Sequence, residues 1–223
     1  MGKLMVIDGL DGCGKSTQLS LLDEYLCTRG TAYKQISFPD YDQPSSALVK
    51  MYLGGELGGS AAAVNAYAAS SFYAVDRYAS YTRFWREDYE NGTPIVAARY
   101  VTSNAIHQMT KLPQEEWGTF LEWLEDYEYT KLGLPKPDAV VFLDMPIEVS
   151  QRLMEQRYDG DNEKKDIHER DLSYLYRCRE AALYAAEKKG WQVLACSDGE
   201  APRPIDVIHN QLVTAFEDMM KHG

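Results

Sequence analysis

"VIDGLDGCGKSTQLSLL", residues 6–22, decides the fold of this chain of 223 residues. Within it "GLDGCGKS", Gly9 to Ser16, fits the pattern G-x-x-x-x-G-K-[ST]. An apolar run, Leu4 to Ile7, enters the pattern. A helix-patterned segment, Lys15 to Thr28, leaves it, with Leu19, Leu22 and Leu26 on one stripe and Gly30 as its stop. Strand, glycine-rich turn and helix in that order make a phosphate-binding loop. Gly9, Gly12 and Gly14 let the backbone curl so that its N–H groups point inward, and the helix adds its positive N-terminal end. The expected nucleotide-binding residues are therefore Gly9, Leu10, Asp11, Gly12, Cys13, Gly14, Lys15, Ser16 and Thr17. Lys15 suits the β- and γ-phosphates of ATP and the Ser16 hydroxyl suits Mg²⁺. Cys13 reads as a small loop filler.

Outward from this loop, short apolar runs alternate with longer helical patterns. Further strands are expected at Tyr33 to Phe38, Ile95 to Ala97, Asp138 to Asp144 and "WQVLAC". Helices are expected from Ser45 and Ser46, as caps, to Leu53; from about Val64 to Asn91, stopped by Gly92; and over Val101 to Met109. Others are expected from Pro113 onward, over Pro146 to Arg157, Asp171 to Lys189 and Pro204 to Lys221. This alternation predicts an α/β fold: a five-stranded, mainly parallel sheet flanked by helices in one domain spanning residues 1–223. No internal repeat and no linker divides it.

Composition narrows the function classes. A hydrophobic share of 45% and a charged share of 26% are ordinary for a globular protein. A net charge of −11 argues against a nucleic-acid polymer as partner, which calls for a basic footprint, but not against one small anion. Cys13, Cys27, Cys178 and Cys196 show no zinc spacing and read as reduced thiols. No run reaches the roughly 18 apolar residues of a membrane helix, and the N-terminus does not read as a signal peptide, so a cytoplasmic protein is expected.

A phosphate loop alone names no reaction. The chain lacks N-K-x-D, which disfavours a switch GTPase, and is too short for most motor ATPases. Small-molecule kinases remain, and they need a second phosphate-binding set. Three clusters offer one: "FPDYD" after the second strand, "SSFYAVDRYASY" on the long helix, and "ARYVTSN" after the third strand. Tyr73 and Arg77 lie four apart, on one helix face, where a ring can stack on a flat base and a guanidinium can donate to its carbonyl.

With these clusters in place the sequence resembles the thymidylate kinase family over nearly its whole length. "IDGLDGCGKSTQ" is similar to the family's phosphate loop and "FYAVDR" to its base-binding helix. "ARYVTSNAIHQ" is similar to its D-R-[YH] segment, and "VVFLDMPIEVSQRLMEQR" to its fourth strand and following helix. "DIHERDLSYLYRCREAALYAAEK" is similar to the segment after its lid. The resemblance implies a three-layer P-loop kinase with a short lid at about 155–168, ATP and Mg²⁺ as cofactors, dTMP as acceptor and a helix-packed homodimer. It implies that Lys15 and Ser16 hold ATP phosphates and Mg²⁺, and that Asp11 lies near the metal or the sugar hydroxyl. It implies that Tyr73 stacks on thymine, Arg77 contacts its carbonyl, Arg99 grips the dTMP phosphate, and Ser103, Asn104 and Gln108 line the base and sugar, with Phe38 and Pro39 beside them. Members carry their catalytic charge either as an arginine in the phosphate loop or as basic residues in the lid. With Gly12 in the loop, the lid arrangement is implied here, from Arg152, Arg157, Lys164 and Lys165; Arg157 joins Lys15, Arg99 and Asp11 as a candidate catalytic residue.

Bland readings stand beside these. Phe72 and Tyr73 also read as core aromatics, Arg77 with Asp76 as a local surface pair, His107 as a polar wall, and Lys164 with Lys165 as a solvated run. Two residues depart from the family pattern. Ala98 stands where the family has an aspartate near the metal, and Tyr41 where some members have an arginine. Two alternatives stand beside the dTMP reading: a related kinase for a deoxynucleoside or a different pyrimidine monophosphate, on which Arg77 and Asn104 bear, and a weakly active nucleotide-binding regulatory relative, which rests on Ala98 and Tyr41. Asp11 or Asp8 is expected to supply what Ala98 lacks.

Overall fold

The computed structural model of the chain describes residues 1–58, 63–157 and 172–221. Five strands among the described residues form one sheet in the order β2-β3-β1-β4-β5, where β1 is Leu4–Gly9, β2 Lys34–Ser37, β3 Ile95–Ala98, β4 Ala139–Asp144 and β5 Gln192–Ala195. β2 pairs in parallel with β3, Lys34 opposite Ile95, and β4 in parallel with β5, Val141 opposite Gln192. The α/β class and the five parallel strands expected from the alternation are both present. The chain falls into two compact units, Met1–Val6 with Tyr33–Asp138 and Ile7–Ala32 with Ala139–Gly223.

In the second unit α1, Lys15–Thr28, buries Gln18, Leu19, Leu22 and Leu26, the stripe that helical periodicity selects. It packs on the last helix, α9, Ile205–Lys221, which buries Ile208, Leu212, Phe216 and Met219. The Tyr25 hydroxyl donates to Glu217 at 2.6 Å and Gln18 Nε2 to the Ile205 carbonyl at 3.0 Å, so the pair is fixed by bonds as well as by apolar area. α7 spans Ile147–Arg157 and α8 Leu172–Lys189. Four alanines on the buried face of α8 let it lie close to the sheet. Arg179 of α8 clasps Asp144 at the end of β4 with bonds of 2.6 and 2.8 Å.

In the first unit α2 is Ala47–Leu53, α3 Ala66–Ser80, α4 Arg86–Glu90, α5 Val101–His107 and α6 Trp117–Glu125. The expected helix from Val64 to Asn91 begins later: Asn65 caps α3 by accepting from the Ala68 N–H at 2.8 Å. Its course is interrupted by one wide turn, Tyr81–Trp85, around the buried Trp85. A second wide turn, Asp126–Lys131, follows α6. The serine caps of α2 do not form. Ser45 and Ser46 lie inside a 3-10 turn, Pro44–Ser46, where Ser46 donates to the Gln43 carbonyl and Ser45 to Asp76 at 2.6 Å.

Candidate functional site

The phosphate loop grows out of β1, all six of whose residues are buried. Gly9 sits where a side chain cannot: a Cβ there would meet Cys13 Sγ at 2.6 Å and the Leu143 carbonyl at 2.9 Å. Gly12 takes φ +76, and a Cβ would lie 2.9 Å from the Ser150 carbonyl on α7, so an arginine at this position would be strained in its backbone and short of space. Gly14 opens α1 with φ 88, no side chain caps the helix, and no acid occupies its first turn. Its leading N–H groups are left for an anion. Lys15 Nζ folds back onto the Gly9 carbonyl at 3.0 Å. Ser16 and Thr17 are exposed, Asp11 is half-buried, and Asp8 is buried with one oxygen accepting from the Gly9 N–H at 2.8 Å. An exposed hydroxyl with carboxylates nearby in sequence is a hard-oxygen set of the type that holds Mg²⁺ together with phosphates and water.

The lid bases lie mostly outside the described residues: Lys164, Lys165 and the Arg157 side chain are among those not described. Arg152 is exposed on α7 and donates to the Glu200 carbonyl.

The first unit gathers most of the expected acceptor residues. Phe38 is buried with its ring 6.0 Å from that of Tyr100, and its N–H donates to the Ala98 carbonyl at 3.1 Å; the Phe38–Pro39 bond is cis. Asp76 of α3 accepts from the Asp40 N–H at 2.8 Å and holds the loop after β2. Arg99, the residue after β3, has φ +64, the one non-glycine residue with positive φ among the described residues. Such a conformation costs of order 1 kcal/mol or more and persists where the surroundings enforce it, often at functional sites. Its guanidinium reaches His107 Nε2 at 3.2 Å, which requires that nitrogen to accept and the proton to sit on Nδ1. Tyr73 is half-buried, its ring 6.3 Å from Tyr52 at an angle of 84°. Burial raises its hydroxyl pKa, and the charges of Arg99 and Arg77 pull it back in part.

Arg77 is not a surface partner of Asp76. It is 1% exposed, and its Nε and Nη2 bond both oxygens of Glu128 at 2.7 and 2.6 Å. Nη1 donates to the Tyr100 carbonyl at 3.3 Å. Burial works against the Arg77 charge, and the attraction and hydrogen bonds of Glu128 outweigh it, leaving the pKa above the ordinary arginine value. Asn104, also buried, donates from Nδ2 to Glu128 at 3.0 Å and to the Ser70 carbonyl at 3.2 Å. Gln108 is buried and Ser103 half-buried on the same stretch.

Sequence reasoning missed Glu128 and Lys111. Glu128 sits in "LEDYEYTK" and reads as one acid among several; only the wide turn turns it inward. Lys111 donates to the Tyr52 hydroxyl and to the Val64 carbonyl, both at 2.8 Å and both neutral. Burial lowers its pKa to about 8 from 10.5. The unfolded chain then keeps a proton that the folded chain has lost between these two values. The Lys111 contribution is therefore fully present above pH 10.5 and is lost as pH falls through about 8. Urea midpoints should rise more from pH 7.5 to pH 10 in the wild type than in Lys111→Gln. Equal rises would show that Lys111 titrates as an ordinary surface lysine.

A parallel sheet whose first strand feeds a glycine-rich loop and an uncapped helix defines a P-loop protein of the α/β class. The model of the thymidylate kinase family matches residues 7–211, and the chain belongs to that family of phosphotransferases. A thymidylate kinase of Mycobacterium tuberculosis is 31% identical over 191 residues, 84% of this chain and 87% of its own. A probable thymidylate kinase of Thermococcus kodakarensis is 26% identical over 97% of this chain and 98% of its own. The solved thymidylate kinase of Candida albicans, 22% identical, covers 100% of this chain and 94% of its own with a TM-score of 0.70, a likeness of fold.

Proposed function

We propose that this chain transfers the γ-phosphoryl group of ATP to dTMP, giving ADP and dTDP. One observation carries the reading: a chain of this family carries a phosphate loop on an uncapped helix and, in its first unit, a set built on Arg99, Tyr73, Arg77 and Asn104. The acceptor is itself a phosphate, so the reaction needs no strong base. It needs two anions aligned in line and their charge neutralised. The loop amides and Lys15 neutralise charge on ATP. Arg99 holds the acceptor phosphate, its side chain steadied by His107. The Tyr73 ring faces the base, and Ser103, Asn104 and Gln108 line base and sugar beside Phe38 and Pro39. Mg²⁺, when bound with ATP, screens the phosphate oxygens, and Ser16 and Asp11 are the residues that would hold it. Basic residues at 152–165, Arg157 among them, supply the remaining charge from the lid.

Helix α3 and the turn after it expose Val75, Tyr78 and Phe84, which supports a homodimer packed through this stretch. Both units draw on β1, which supports one kinase domain. No helix among the described residues is long and apolar enough to cross a membrane, and the four cysteines are free, in keeping with a cytoplasmic enzyme.

The test is ADP release with ATP, Mg²⁺ and each of dTMP, dUMP, dCMP and thymidine. Release with dTMP above the others supports the reading; ATP binding with silence for every acceptor sinks it. Ala98 ends β3 as a buried residue without a carboxylate. If Asp11 supplies the acid, Asp11→Ala should lower kcat by about 10²-fold, and Ala98→Asp should change it by less than about threefold. A large gain in Ala98→Asp would mean that the acid is simply missing.

A further inference from the structure

Glu128 is a buried group that no part of the mechanism uses, and it touches two of the residues assigned to the base, Arg77 and Asn104. The carboxylate of Glu128 is 0% exposed. Its Oε1 accepts from Arg77 Nη2 and from Asn104 Nδ2, and its Oε2 from Arg77 Nε. Asn104 has two amide hydrogens. One goes to Glu128 and the other to the Ser70 carbonyl, and both partners are acceptors. The amide therefore has one orientation, with Nδ2 inward, and only Oδ1 remains to meet a ligand. Arg77 has five N–H donors and no acceptor; three are held by Glu128 and Tyr100, so what it can offer a ligand is a donor. The Arg77 charge is also matched by Glu128, so this pair does not form a bare cationic site for a phosphate. Two turns before Arg77 on α3, the Ser70 hydroxyl is buried with no hydrogen-bond partner among the described residues, a polar atom left for a ligand or water.

We infer that Glu128 is a positioning residue that sets base specificity: by fixing the Asn104 amide and the Arg77 guanidinium it presents one acceptor beside one donor, the complement of a pyrimidine imide. Thymine and uracil offer an N3–H donor beside a C4 carbonyl. Cytosine offers a lone pair at N3 and an amino group at C4, so both contacts become mismatched. A site built to pair buried polar groups rejects a ligand that leaves them unpaired, by factors of about 10⁴ in favourable cases. The inference rests on the assignment of Arg77 and Asn104 to the base, made above.

Glu128→Gln tests it. The amide has one oxygen in place of two: at the Oε1 place it still accepts from Arg77 Nη2 and Asn104 but sets its NH₂ against Arg77 Nε, and at the Oε2 place it sets its NH₂ against Arg77 Nη2 and Asn104 Nδ2. In the second placement Asn104 can turn over, giving up its bond to the Ser70 carbonyl, and present Nδ2 outward, which suits N3 of cytosine. Values of kcat and KM, and Kd by calorimetry, are measured for dTMP, dUMP and dCMP, with the thermal midpoint of each variant. The wild type should prefer both imide nucleotides to dCMP by at least about 10²-fold. In Glu128→Gln that ratio should fall at least tenfold, mainly through KM, with dTMP and dUMP moving together because they share the imide edge. A purely structural role would lower all three substrates alike and leave the ratio unchanged. A ratio within twofold of the wild type in a folded variant overturns the inference, as does a wild type that accepts dCMP as well as dTMP. Should Glu128→Gln not fold, Glu128→Asp keeps a negative charge near Arg77 while drawing the carboxylate back from Asn104; the same fall is expected, and an unchanged ratio again overturns it. If the wild type turns over no acceptor, the kinase reading fails by itself, and the three Kd values decide the specificity inference separately.

Discussion

Glu128→Ala should lower the unfolding free energy by about 3–5 kcal/mol, the range for removing one partner of a buried ion pair. The pair is as buried as any among the described residues, Arg77 1% and Glu128 0% exposed, and it is bidentate. Truncation strands a guanidinium that cannot lose its proton, and it leaves one Asn104 hydrogen unpaired. The intact pair need not stabilise the fold by the same amount, because desolvating both charges offsets much of their attraction. The double variant Arg77→Met with Glu128→Leu separates these effects. It should recover most of the loss, since no charge is then left buried alone. Urea unfolding followed by tryptophan fluorescence measures both variants, with Trp85 and Trp117 buried in the same unit. A loss under 1 kcal/mol for Glu128→Ala would mean that water reaches Arg77. A double variant as weak as the single one would mean that the carboxylate contributes through shape.

Lys15→Met should lower turnover by about 10²–10³-fold, the cost of losing one placed charge donor in a site that works by electrostatic stabilisation. Its effect on folding should be small. Lys15 is half-buried at the rim of the loop, and among the described residues its side chain bonds the Gly9 carbonyl at 3.0 Å. That bond keeps Nζ over the loop, and binding of phosphate is expected to break or share it. A thermal midpoint within about 2 °C of the wild type, with a collapse in kcat, is the expected pair of results. Turnover within threefold of the wild type would remove the loop from the mechanism. A parallel fall in both quantities would mark Lys15 as structural.

Of the fold, the parts governed by local pattern were legible. The Leu19, Leu22 and Leu26 stripe, the runs at 4–7 and 138–144, and the stops at Gly30 and Gly92 each state a periodicity or a backbone requirement within a few residues. Boundaries moved where a side chain found a better partner at long range. Ser45 left its cap for Asp76, 31 positions away, and the long helix opened into a wide turn around Trp85. The candidate site divides in the same way. The phosphate loop is one contiguous signal, so Gly9 to Ser16 could be assigned roles from spacing alone. The proposed acceptor set draws on segments between residues 38 and 128, and spacing put Tyr73 and Arg77 on one helix face but did not show what holds Arg77.

By itself, then, the sequence determined the α/β alternation, the phosphate-loop motif, the family and the residue types of the proposed acceptor cluster. All of these rest on interactions between residues close in the chain, or on a motif whose spacing is its geometry. The tertiary structure alone decided that Arg77 is buried against Glu128, that Asn104 has a single amide orientation, that Arg99 stands at φ +64 and that Lys111 lacks a charged partner in its two hydrogen bonds. Charge compensation and hydrogen-bond direction depend on which distant groups share a desolvated space. That space is made only when the helices close over it.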